Sequence, residues 1–163
     1  MSGPVYFVAC KNMKKVDREV VLSDPNYDET SYVATEPSAA CPSMTEGMDE
    51  GALYQFDESN WYRVADRWWA FVDWIVKLSN LVGLDGDLPE QDSTVAFRDI
   101  IRYGSNGCGT FGPVVSKKLA EDFALWDERA RDLGDEDFYY YFGMFRHMFD
   151  MAAEGGACWL QSW

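Results

Sequence analysis

The chain has 163 residues, with 28 Asp and Glu against 14 Lys and Arg, a formal net charge of −14, 47% apolar residues and 16% aromatics. That apolar content excludes a disordered chain, and no run approaches the roughly 20 apolar residues of a membrane-spanning helix. The charge argues against direct contact with DNA or RNA, which draws on lysine and arginine to replace counterions. The length fits one domain, and the opening MSGPVYFVACKNMKK carries neither a basic leader nor a signal-length apolar run, so a protein of the bacterial cytoplasm is expected.

In chain order, PVYFVAC is β-branched and aromatic, and REVVLSD reads as its partner strand. Residues 24–50 are rich in Pro, Ser, Thr and acids and predict loops around one short strand at SYVAT. ALYQF alternates as a strand, and Ser59 then reads as the N-cap of a long helix, NWYRVADRWWAFVDWIVKLSNLVG. Its apolar positions Trp61, Val64, Trp68, Phe71, Val72, Ile75, Leu78 and Val82 predict core, with Gly83 as the C-terminal stop.

After LDGDLPEQD, the segment STVAFRDIIRYG places Ala96, Phe97, Ile100 and Ile101 on one helical face. A further helix opens at Gly112 and Pro113 and carries Val115, Leu119, Phe123, Trp126, Ala130 and Leu133. The last helix starts on the acids of DEDFYYYFGMFRHMFDMAAEGG, and the tail ACWLQSW reads as a strand pairing with the N-terminal ones. The expected fold is α+β, with about four helices packed on a small antiparallel or mixed sheet formed by the N-terminal strands and the C-terminal strand. Residues 1–58 form its strand- and loop-rich acidic part, and residues 59–163 its helical part ending in a short strand.

Motifs for chemistry are sparse. Gly107, Gly109 and Gly112 fall at the GxGxxG spacing, yet the segment before them reads as helix and no second strand with an acidic end follows about 20 residues on. The loop is therefore expected to turn between helices, with positive φ at Gly104 and Gly109. Lys117 and Lys118 leave a small-anion site at the next helix start open.

The acids Asp85, Asp87, Glu90 and Asp92 lack the spacing of a calcium loop, with Ala96 where a bidentate glutamate would sit. The cysteines Cys10, Cys41, Cys108 and Cys158 form no CxxC pair, and His147 is the only histidine. No metal and no cofactor are expected, and no catalytic residue is assigned. An alternative is a small enzyme or ligand-binding protein with a pocket near His147 and the glycine loop of residues 104–112.

The charge distribution is the more informative feature. From Glu19 to Tyr62 there are ten acids and no lysine or arginine. One reading is a solvated loop region. The other is a surface that docks on a basic protein, either a nucleic-acid-binding enzyme whose substrate it mimics or a toxin it neutralises. The partner-binding residues on that reading are Asp28, Glu29, Glu46, Asp49, Glu50, Asp57 and Glu58, with Tyr54 among the aromatic anchors Tyr27, Tyr32 and Trp61.

The last third, from FRDIIRYGSNGCGTFGPVVSKKLAEDF through FYYYFGMFRHMFDMAAEGGACWL, resembles small bacterial and phage proteins. Their pattern is a short helix, a Ser-Asx-Cys-x-Gly turn, a helix beginning near G-P-x-x-S-x-x-L-A, and an aromatic helix closing on A-A-x-x-G-G. This chain has Gly107 where that group would have Asp in the turn. The resemblance carries no activity and no catalytic residue; it implies a recurring structural turn in a phage or bacterial setting. Together these readings lead to an expected inhibitor of the phage anti-defence or toxin-immunity type.

Overall fold

In the computed structural model, which describes residues 3–161, the chain runs β1 (Val5–Lys11), β2 (Lys14–Val16), α1 (Arg18–Ser23), β3 (Tyr32–Ala34), β4 (Leu53–Gln55) and β5 (Glu58–Ala65), followed by α2 (Trp68–Leu81), α3 (Arg98–Tyr103), α4 (Pro113–Leu125), α5 (Asp127–Asp132), α6 (Glu136–Ala152) and β6 (Ala157–Gln161). The fold is α+β, as the sequence predicts, but the strands form two antiparallel sheets rather than one. The larger has the order β5-β1-β6 and the smaller β2-β4-β3.

Strand β1 is central because it is apolar on both faces. Phe7 lies opposite Tyr62 of β5 and Leu160 of β6, and the row Val5, Phe7 and Ala9 is buried beneath the helices. Phe7 meets Phe71, Tyr103, Phe111 and Phe145 with ring centroids 5.7 to 6.4 Å apart. Such pairs add about 0.5–1.5 kcal/mol each beyond area burial. On the opposite face Cys10 and Ala157 are covered by Tyr54, Phe56 and Val33 of the smaller sheet region. The expected boundary at residue 58 thus falls at the first residue of β5, a strand that belongs to the shared sheet.

Helix α6 is the spine of the helical layer, burying Phe138, Phe142, Phe145 and Phe149 along one side. It is capped by Asp135, whose carboxylate accepts the N–H of Phe138 at 3.0 Å. Trp74 of α2 stacks on Phe145 at 4.5 Å, and its indole N–H donates to the carbonyl of Phe138 at 3.1 Å.

Three predicted elements differ. REVVLSD is helix α1 rather than a strand, because Asp17 caps it by accepting the N–H groups of Glu19 and Val20. The long helix begins at Trp68, not after Ser59; residues 58–65 are strand β5, and Trp61 is 46% exposed on the sheet instead of lying in the core. The helix expected over 113–133 breaks at Trp126 into α4 and α5, which leaves Leu133 exposed.

Strand β3 and the strand β4 expected at ALYQF form as read. Helix α2 ends at Gly83, where φ is +82°. The loops of residues 24–50 are tied down by buried Val33, Cys41 and Met44. Phe97 precedes α3 in a left-handed conformation, φ 62°, and Asp122 accepts its N–H at 3.0 Å.

Candidate functional site

The acidic stretch lies on and beside the smaller sheet, and the fold divides its candidate residues between the two ends of β4. Asp28, Glu29, Asp57 and Glu58 gather at one end, where the N–H of Phe56 donates to the carbonyl of Ser31. Glu46, Asp49 and Glu50 lie toward the other end, in the loop that leads into Ala52. A three-residue strand separates the groups by about 10 Å.

The stretch that is base-free in sequence is not wholly base-free in space. Lys15 of β2 reaches Asp49 at 2.9 Å, and Lys11 of β1 lies between Glu58 at 3.2 Å and Glu154 at 3.5 Å. The hydrogen bond from each lysine to its carboxylate raises the ammonium pKa. Among the described residues no basic group lies within ion-pair distance of Glu19, Asp24, Asp28, Glu29, Glu36, Glu46, Glu50 or Asp57, so eight of the ten carboxylates keep an unneutralised charge.

Asp28 is fixed as a cap. It accepts the hydroxyl of Thr30 at 2.7 Å and its N–H at 3.0 Å, bonds that hold its carboxyl below the usual carboxylate range. Tyr54 is not a surface anchor: it is buried, and its hydroxyl accepts the N–H of Asp49 at 2.8 Å, which sets the shape of the acidic loop from beneath. Tyr27 and Tyr32 pack on each other at 5.3 Å.

The glycine loop serves that same surface. Thr110 N–H donates to the carbonyl of Glu36 and Phe111 N–H to that of Cys158, both at 2.8 Å, while Gly112 N–H donates to Met44 at 2.7 Å. These three amides are therefore engaged within the protein and not free to cradle a phosphate. Gly109 has φ +116°, as predicted, but Gly104 has φ −56°; what crowds Gly104 is the side chain of Ile75, 2.9 Å from where a Cβ would sit. Lys118, a candidate for holding an anion, is instead drawn to the buried carboxylate of Asp122.

His147 is exposed on α6. Cys10, Cys41 and Cys158 are buried and only Cys108 is exposed. Burial pushes the thiols of Cys10 and Cys41 up to about 11, far from a reactive thiolate at neutral pH. Among the described residues no group of three or more His, Cys, Asp or Glu is placed to hold a metal ion, and no helix is long and apolar enough to cross a membrane.

The feature that sequence reasoning missed is a cleft of about 550 Å³ between α2 and the first turns of α6. It is lined by Asp66, Trp69, Asp73 and Lys77 from one side and by Asp137, Tyr140 and Tyr141 from the other. Trp69 is 61% exposed and Tyr140 62%. The available signal was the spacing of Asp66, Trp69, Asp73 and Lys77, a mixed acid and aromatic stripe next to an apolar one. Starting the helix at residue 60 obscured it.

The chain matches no protein-family model, no curated protein and no solved structure.

Proposed function

We propose that the protein is an acidic inhibitor that docks on a basic surface of a partner protein, of the phage anti-defence or toxin-immunity type. The partner is a nucleic-acid-binding enzyme or a basic toxin, and the carboxylates stand where the phosphates of its substrate would. The observation that carries this reading is the set of eight exposed carboxylates with no ion-pair partner among the described residues, most of them on a loop region whose backbone is held by Tyr54, Thr110 and Gly112. Charges on a fixed frame lose less entropy on docking than charges on a mobile loop, and they steer a basic partner from a distance.

Affinity capture from the native host identifies the partner, and the variant with Glu46, Asp49, Glu50, Asp57 and Glu58 all changed to Lys tests the surface. Those five changes replace five negative charges by five positive ones. The expected outcome is loss of binding, with wild-type affinity falling steeply between low and physiological salt. Unchanged affinity in the variant, or salt-independent affinity in the wild type, would overturn the reading.

A further inference from the structure

We propose that the cleft between α2 and α6 receives an arginine side chain from a basic segment of the partner. This rests on the reading that the partner is basic, and it adds a second contact surface, separate from the β4 region and built from different residues.

The charge of the cleft comes first. Three carboxylates, Asp66, Asp73 and Asp137, face a single ammonium, Lys77. Arg63 answers Asp66 at 2.6 Å and Asp135 answers Lys77 at 2.7 Å, so these outside partners cancel each other and the cleft keeps a net charge of minus two. The N-terminus of α6 opposes this with the equivalent of about half a positive charge. The carboxylates therefore decide the sign, and a cation is the complement. No basic group among the described residues lies within ion-pair distance of Asp73 or Asp137.

The aromatic groups narrow the class of cation. Trp69 and Tyr140 leave large ring surfaces in solvent at the cleft, although the neighbouring Trp74 is buried in the stack with Phe138 and Phe145. The hydroxyl of Tyr141, half-buried in the cleft wall, has its pKa raised, by burial first and then by the carboxylate of Asp66. A guanidinium is planar, stacks on aromatic faces, offers five donors in a fork that fits a carboxylate and is weakly hydrated. An ammonium is compact and strongly hydrated, which suits this mixed wall less well.

The test uses the full chain at physiological salt, where charges beyond about 8 Å are screened. A blocked peptide of alternating Gly and Arg, its Gly–Lys counterpart and a Gly–Ser control are titrated by calorimetry, and the indole N–H resonance of Trp69 is followed by NMR. The Arg peptide is expected to bind and to shift that resonance, and the Lys peptide to bind several-fold more weakly. Asp73→Asn with Asp137→Asn should weaken Arg-peptide binding by about tenfold or more, as should Trp69→Ala with Tyr140→Ala.

All four side chains are exposed, and an unchanged melting temperature verifies that the variants fold. The five-lysine variant of the β4 region should still bind the Arg peptide. Arg-peptide binding that survives both cleft variants, or equal affinity for the Lys peptide, overturns the proposal. The two readings separate cleanly: partner binding lost in the five-lysine variant but untouched by the cleft variants sinks the cleft alone.

Discussion

Gly109→Ala should destabilise the protein by about 2–6 kcal/mol, a figure with two parts. Its φ of +116° lies outside the small left-handed region open to side chains, which costs roughly 1–3 kcal/mol. The new Cβ would also lie 2.8 Å from the Cβ of Ser38 and 3.2 Å from the terminal methyl of Met44. Met44 can swing its methyl aside, but Ser38 cannot move without its backbone, and forced overpacking of this kind costs about 1–3 kcal/mol. Gly134→Ala is the internal control, since it too has positive φ, +71°, yet nothing lies within 4 Å of the added methyl. It should cost only about 1–2 kcal/mol.

Urea unfolding of both variants measures the difference directly, and each kcal/mol should appear as roughly 3 °C in melting temperature. Native-state hydrogen exchange would locate the damage in residues 34–48 with the core of α6 still protected. Equal destabilisation by the two substitutions would refute the argument that the loop is glycine for close packing.

Reaction with a thiol reagent should show one fast cysteine, Cys108, and three that react only on unfolding, and Cys108→Ser should remove the fast phase. Because burial raises the thiols of Cys10 and Cys41 from 9.0 to about 11, their contribution is complete below pH 9 and is lost as pH rises through 11. It amounts to roughly 2–3 kcal/mol per thiol, so a Cys10→Ala, Cys41→Ala double variant should lose less stability than wild type across that window in alkaline urea titrations. Asp135 has its carboxyl held below the usual range, by Lys77 first and then by the N–H of Phe138, so its contribution is present above the unfolded carboxylate pKa and lost as pH falls through the folded one. Asp135→Ala should cost about 1 kcal/mol at neutral pH, and its gap to wild type should close in acid melts. Phe145→Ala should cost about 3–5 kcal/mol by urea unfolding, because its ring is shared by Phe7, Phe71 and Trp74.

Much of the fold can be read from local signals where one signal dominates. Gly83, Pro113 and the acids at Asp135 mark helix ends through backbone chemistry that needs no tertiary partner, and all three do so in the fold. The strand over 58–65 is missed because Trp61, Val64 and Trp68 satisfy a helical spacing while Tyr62 and Val64 satisfy a strand alternation. Pairing with β1 decides between them, and that pairing is not a local property. REVVLSD is misread in the opposite direction: its valines favour a strand, but the Asp17 cap and the absence of a burial partner make it a solvated helical turn. The candidate surface is legible as composition only. Nothing in the order of residues says that Lys11 and Lys15 fold back onto Glu58 and Asp49, or that the hydroxyl of Tyr54 meets the loop from beneath.

The placement of β1 between β5 and β6 bears on how the chain can be made. During synthesis β1 emerges first and meets β5 about fifty residues later, but its other edge has no partner until Ala157–Gln161 leaves the ribosome. Until then a row of apolar residues and open backbone groups remains exposed to any other strand, the situation most prone to aggregation. A nascent chain halted anywhere before β6 therefore carries a sticky edge on β1. The excess of acids, ten of them between Glu19 and Tyr62, adds mutual repulsion between such unfinished chains.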